Sequence, residues 1–350
     1  MRKIIITAIA TIVMLTSCTD GLTYKAHNEG FFPYLEFDYN DIAQTVGITI
    51  VDEVESVIIP PSINGYSSIY NGIIKESVKG PEHANNVEKA LKSITIGYDF
   101  VDEDLIESIK AMSNVTNLTF ADSVSNFDNW PTTNGSWKLE SLTIGDGVST
   151  IPYNSFSHCK DLTTVTLGDG VSTISSYSFW ECTFLTNVTL GDGITKIEDW
   201  AFAGCRSLKE IVIPNSVKTI ESNAFLYNEA LTSLILGDRL ETIGSLAFAG
   251  LFSLKEIVFP KNLKSIGDGS FVACRLLEEI VIPDSVEYIG RGAFNGCVGL
   301  KSISLPAGTY DLSLILDHIP GDWTLNGEKI EDLTNFVATD RKLLIRTNFT

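Results

Sequence analysis

Thiols, imidazoles and carboxylates are the side chains in this sequence that could do chemistry, and their spacing decides which kind. Five cysteines, Cys159, Cys182, Cys205, Cys274 and Cys297, stand apart by multiples of 23 residues. Neighbouring thiols can oxidise to a disulfide, bind a soft metal or act as nucleophiles. No C-x-x-C pair and no His–Cys cluster accompanies these five, so a metal would lack its usual ligands. Thiols stacked in one column without lateral offset rarely reach the dihedral a disulfide needs, and the column reads as buried free thiols. Asn228 and Leu251 fill the same slot in two units, and the Leu suggests that the slot wants modest apolar bulk. His27, His83, His158 and His318 lie in unrelated contexts with no acid or nucleophile at motif spacing. Catalysis therefore has no constellation to work with, and the chain reads as no enzyme and as needing no cofactor. Asp146, Asp169 and Asp192 recur in Gly-Asp-Gly turns, where turn formation explains them better than acid–base pairing or Ca²⁺ ligation.

The elements that must position these residues follow from one aromatic register. Phe156, Phe179, Phe202, Phe225, Phe248, Phe271 and Phe294 advance by 23 residues without a break. One such unit cannot bury its own apolar face, so the units must stack as a repeat protein. Within each unit an LxxVxL pattern starts at Leu139, Leu162, Leu185 and so on to Leu300, and its spacing of two predicts a strand with alternate side chains turned inward. Gly-Asp-Gly or Pro-Asn/Asp-Ser follows as a turn, read as a supplier of positive φ or a remover of a ladder donor. Ile151 to Ile289 make a second inward column, and Ala-Phe or Ser-Phe brings the chain back.

Outside the array, residues 31–90 read as an N-terminal cap and a distorted first repeat, with FFPYLEFDY, VGITIVDE and VESVIIP as strands. Two units of 24 residues follow; in the first, Leu105, Ile106, Ile109 and Met112 have helical spacing, and in the second Trp130 and Trp137 fall in an expected loop. The solenoid spans 91–306, and 307–350 reads as the opposite cap, with strands in LSLILDHIPGDW and KLLIRTNF, a turn at Pro320-Gly321 and Trp323 as an apolar plug.

The first 18 residues read as a secretion signal: Arg2 and Lys3, an apolar run from Ile4 to Leu15, then Thr16, Ser17 and Cys18. A run of twelve residues at roughly 1.5 Å each falls short of the roughly 30 Å hydrocarbon core, so a permanent span is disfavoured. Leu15-Thr16-Ser17-Cys18 resembles the bacterial lipobox, which implies acylation of Cys18 and a polar tether over 19–30. The formal charge is −19, or −21 once Arg2 and Lys3 leave with the leader. Such acidity excludes nucleic acid as a natural partner and repels an anionic bilayer, so the membrane tie is expected to be the lipid anchor alone.

The repeats resemble the BspA-type leucine-rich repeat, LxxIxIPxxVxxIxxxAFxxCxx, strongly over 139–306 and loosely over 91–138, with Gly in place of Pro at 145, 168, 191 and 237. The resemblance implies an α/β fold, a right-handed leucine-rich-repeat solenoid with one parallel β-sheet, capped at both ends. It also implies a surface protein of host-associated bacteria that binds extracellular matrix or other cells.

The outward strand positions are the best binding candidates. Thr143, Thr166 and Thr189 share a column with Val212, Ile235, Val258 and Val281, and Lys209, Glu210, Lys255, Glu256 and Glu279 flank it. Such a column can be a rimmed apolar groove for a partner, or simply β-branched residues suited to strands. Tyr177, Trp180, Phe184 and Trp200 gather near the return turns, as sugar-stacking platforms or as filler. The expected protein is a monomeric outer-membrane lipoprotein that binds a host or bacterial surface protein through its sheet face, with a glycan ligand or a structural envelope role as alternatives and exposure on the outer face left open.

Overall fold

A computed structural model describes residues 92–96, 114–125, 127, 137–305 and 315 in full, and elsewhere the backbone of the strands named below. The chain forms two compact units, Met1–Pro131 with Ser136–Val148, and Thr132–Gly135 with Ser149–Thr350. The helical spacing at Leu105–Met112, the leader with Cys18, Trp130, Trp323 and the turn at Pro320-Gly321 lie outside the described residues.

In the first unit, Thr23–His27, Leu35–Asn40 and Thr45–Ile50 form an antiparallel meander, and Tyr66–Tyr70 joins it parallel to Thr45–Ile50. Ser56–Ile59 belongs elsewhere. Read from sequence with the cap, it is the first rung of a parallel ladder that continues through Ser93–Ile96, Asn117–Phe120 and Ser141–Ile144. In the last three of these strands exposure alternates with period two, which puts Ile94, Ile96, Leu118, Phe120, Leu142 and Ile144 in the core. Trp137, expected in a loop, is buried.

The second unit repeats this ladder at a constant register. Thr164–Leu167 pairs with Asn187–Thr189, Glu210–Val212 with Ser233–Ile235, and Glu279–Val281 with Ser302–Ser304, all parallel. The sheet is thus broken into short pieces: Asn187–Thr189 and Glu210–Val212 fall in separate sheets, and residues 254–260 form no regular strand although Ile257 and Phe259 remain buried. A second parallel sheet adds to the one expected. Seven two-residue strands, from Thr150–Ile151 to Tyr288–Ile289, pair in sequence order and carry the isoleucine column.

Between these sheets runs the phenylalanine column. All seven rings are fully buried, with centroids 5.1–5.6 Å apart along the column. Their backbone is laddered too: Phe225 N–H donates to Ala247 O at 2.8 Å, and each other member repeats the bond to the next unit. The last member, Phe294, donates instead to Ile315 O at 3.1 Å. Ile315 is buried and helical, not part of a strand as LSLILDHIPGDW suggested, since its carbonyl has to meet the final open donor of the column. Further on, Tyr310–Asp311, Phe336–Thr339 and Lys342–Ile345 form an antiparallel sheet.

The turns correct the sequence reading on one point. The glycines of the Gly-Asp-Gly turns are not at positive φ; they are needed for close approach, since a Cβ on Gly191 would lie 2.2 Å from Gly168 O and one on Gly193 1.9 Å from Asp169 O. Side-chain oxygens of the turns tie rung to rung: Asp169 Oδ1 accepts from Asp192 N–H at 2.9 Å, and in a Pro-Asn-Ser turn Asn215 Oδ1 accepts from Asp238 N–H at 2.8 Å. Left-handed backbone occurs instead at two columns flanking each Phe, and nine of those positions hold residues other than glycine, among them Tyr177 (φ 61°), Trp200 (φ 61°) and Leu246 (φ 56°).

Candidate functional site

On the sheet face of the second unit, the strand period leaves one column of β-branched side chains in water. Val212, Ile235, Val258 and Val281 are 56%, 55%, 81% and 54% exposed, whereas Ile211, Ile257 and Ile280 beside them are buried. Val212 pairs in register with Ile235, and Val281 with Ser304, so the apolar stripe ends in a hydroxyl. At the other end Thr166 pairs with Thr189. Thr143 carries the same position in the first unit, on Ser141–Ile144. Isolated exposed valines would be unremarkable; four in consecutive rungs amount to a contiguous patch.

Charged columns border the stripe. Glu210, Glu256 and Glu279, two residues before the apolar column, are exposed and form no ion pair or side-chain hydrogen bond among the described residues. One residue further back stand Lys209, Lys255, Glu278 and Lys301. There Lys301 Nζ binds Glu278 Oε2 at 2.7 Å, and this bond, with the attraction of Lys301 and Lys255, holds the Glu278 carboxyl below its usual range. Thr232, Lys255, Glu256, Glu278, Glu279, Lys301 and Ser302 line an open cavity of about 530 Å³ alongside the stripe.

The other candidates serve the fold. On the isoleucine side, Lys218, Glu241, Lys264 and Glu287 alternate in charge at the 23-residue step, and Lys264 Nζ meets Glu241 Oε2 at 2.6 Å. Of the aromatic residues, Trp180 and Trp200 are half-buried and pack against Ala203, Leu226 and Ala249. Tyr177 stacks on Trp200 with centroids 5.8 Å apart and meets Trp180 edge-on at 5.5 Å, while Phe184 stands apart, 60% exposed.

The five array cysteines are buried free thiols. The slot wants more than the apolar bulk read from sequence. Cys182 Sγ donates to Phe156 O at 3.1 Å, and Cys205, Cys274 and Cys297 repeat the bond to the Phe carbonyl 26 residues back. Burial pushes the Cys205 and Cys274 thiols well up from their ordinary range, so they stay protonated and weakly nucleophilic. A thiol reagent should therefore label none of the five in native protein and all five in denaturant, apart from Cys18; fewer than five would mean a disulfide. Among the described residues, no group of three or more His, Cys, Asp and Glu converges closely enough to hold a metal ion.

The repeats match the model of the BspA type leucine-rich repeat region in six copies, over residues 88–209, 133–249 and 219–314. None of the curated proteins is similar to this chain in sequence. Among solved structures, a leucine-rich repeat protein of T. pallidum is 21% identical, with 76% of this chain and 88% of that chain covered and a TM-score of 0.41. A leucine-rich cell surface protein of Faecalibacterium prausnitzii is also 21% identical, with 82% and 83% covered and a TM-score of 0.35. The pneumococcal vaccine antigen PcpA is 16% identical, with 82% of each chain covered and a TM-score of 0.36.

Proposed function

The chain belongs to the BspA-type leucine-rich repeat family, and on that premise we propose that it is a non-enzymatic protein-binding module of the bacterial cell envelope, working through the sheet face of its second unit. The observation that carries this reading is the stripe of Val212, Ile235, Val258 and Val281, exposed in consecutive rungs while the inward Leu and Phe columns of the array are buried. Exposing this stripe gains nothing for the fold, because polar residues hold the same place at Thr166, Thr189 and Ser304. A partner that covers it gains apolar burial at about 25 cal/mol per Å². The leader motif at Cys18 supports attachment by acyl chains, and adhesion to a host or bacterial surface protein is the role that joins such an anchor to such a face. The half-buried packing of Trp180 and Trp200 favours the sheet face over a glycan platform at the return turns.

Replacing Val212, Ile235 and Val258 together with Asp should leave the circular dichroism spectrum unchanged and lower binding to an immobilised panel of matrix proteins by about a hundredfold, roughly 2.7 kcal/mol. Undiminished binding with the fold intact would remove the sheet face from consideration.

A further inference from the structure

Resting on that reading, we propose that the segment bound on the sheet face is cationic and apolar: an extended stretch of aliphatic side chains interleaved with Lys or Arg. Glu210, Glu256 and Glu279 are the charged residues nearest the stripe, being two positions before Val212, Val258 and Val281 on the same outward side of the pleat. All three are exposed and take no partner among the described residues. Their neighbours behave otherwise: Glu278 is taken by Lys301, Glu241 by Lys264, and Glu229 and Glu181 share Arg206. Carboxylates in several other columns of the array are thus ion-paired, whereas this column is open beside the apolar stripe.

The opposite charges on this face stand further out. Lys209 and Lys255 lie one residue before Glu210 and Glu256, and Lys301 is engaged with Glu278. Glu256 thus stands nearer to Val258 along the chain than Lys255 does. The wider field has the same sign. With a formal charge of −19, long-range attraction selects a cationic ligand and speeds its encounter, an effect that salt screens. The same charge argues against a second copy of this chain on the face, since isologous contact would set one acidic column against another.

The test uses the full mature chain and three synthetic twelve-residue peptides, alternating Val with Lys, with Ser or with Glu, titrated by fluorescence anisotropy. The Val–Lys peptide should bind at least tenfold more tightly than the Val–Ser peptide, and the Val–Glu peptide should not bind. Its affinity should fall as salt rises. Reversing the column, Glu210→Lys with Glu256→Lys and Glu279→Lys, should weaken Val–Lys binding by tenfold or more. The same change in net charge placed off the face, Asp192→Lys with Asp199→Lys and Glu287→Lys, should weaken it far less. Equal loss from both charge reversals would mean unspecific attraction and would overturn the assignment, as would failure of the Val–Lys peptide to bind. Val–Ser binding equal to Val–Lys, abolished by the Asp substitutions at Val212, Ile235 and Val258, would keep the sheet face as the docking surface and overturn only its preference for cations.

Discussion

Phe225→Ala should destabilise the second unit by about 3–5 kcal/mol, the range for truncating a fully buried aromatic residue to alanine. Phe225 is inaccessible to water and lies between two rings, Phe202 at 5.3 Å and 10° and Phe248 at 5.5 Å and 13°. Its removal costs the transfer of the ring, both ring contacts at about 0.5–1.5 kcal/mol each, and a cavity that the laddered backbone cannot collapse around. The backbone is held on either side, since Phe202 N–H is bonded to Ala224 O and Phe225 N–H to Ala247 O. Position along the column should matter as well. Among the described residues Phe294 has one ring neighbour, Phe271 at 5.6 Å, and its N–H is met by Ile315 O instead of by a further unit of the column, so Phe294→Ala should cost less. A solenoid couples each rung to its neighbours alone, and an interior lesion also cuts the unit into two shorter stacks. Urea unfolding of both variants measures the difference; a Phe225→Ala midpoint equal to that of the unaltered protein would contradict a stacked interior.

What the sequence made legible is what repeats. The Phe column, the inward Leu and Ile columns and the strand register follow from an unbroken step, because stacking turns sequence period directly into spatial neighbours. Four features were not legible. The isoleucine strands are two residues long, too short to show alternation, and become a sheet only through bonds to adjacent rungs. The left-handed columns were hidden by Tyr177, Trp200, Leu246 and Tyr227, side chains that resist φ > 0 by about 1–2 kcal/mol each. Asn154, Asn223, Gly269 and Gly292 occupy the column of Tyr177, and comparing column members would have exposed the conformation. The turn glycines point to positive φ when one repeat is read alone, since close approach between stacked turns cannot be seen in it. On the candidate face the columns could be read but not which members bond: Glu278 has a lysine one step away on either side, Lys255 and Lys301, and only the structure shows that Lys301 holds it.

The last expected result concerns the one place where two irregular rungs compensate each other. In the cysteine slot Cys182, Cys205, Cys274 and Cys297 donate to the Phe carbonyl of the unit before, and Asn228 does so to Phe202 O at 2.9 Å. Leu251 in the following unit has no donor for Phe225 O, and Asn228 supplies it with a second N–H at 2.8 Å. One buried amide thus serves two rungs, which is why Asn and Leu occur in succession. Asn228→Cys should keep the first bond and orphan the second, costing about 1–3 kcal/mol for a buried carbonyl without a partner, less whatever is regained because Asn228 Oδ1 is itself unpartnered. Leu251→Cys alone adds a donor to a carbonyl already served and should change stability by less than about 1 kcal/mol net of lost volume. Together the two substitutions return the column to uniform cysteine and should recover most of the loss from Asn228→Cys. The interaction energy of the double-mutant cycle should then be about 1–2 kcal/mol in favour of the pair. Additive effects in urea unfolding would show that Phe225 O is not shared in this way and that Asn and Leu are independent departures from the repeat.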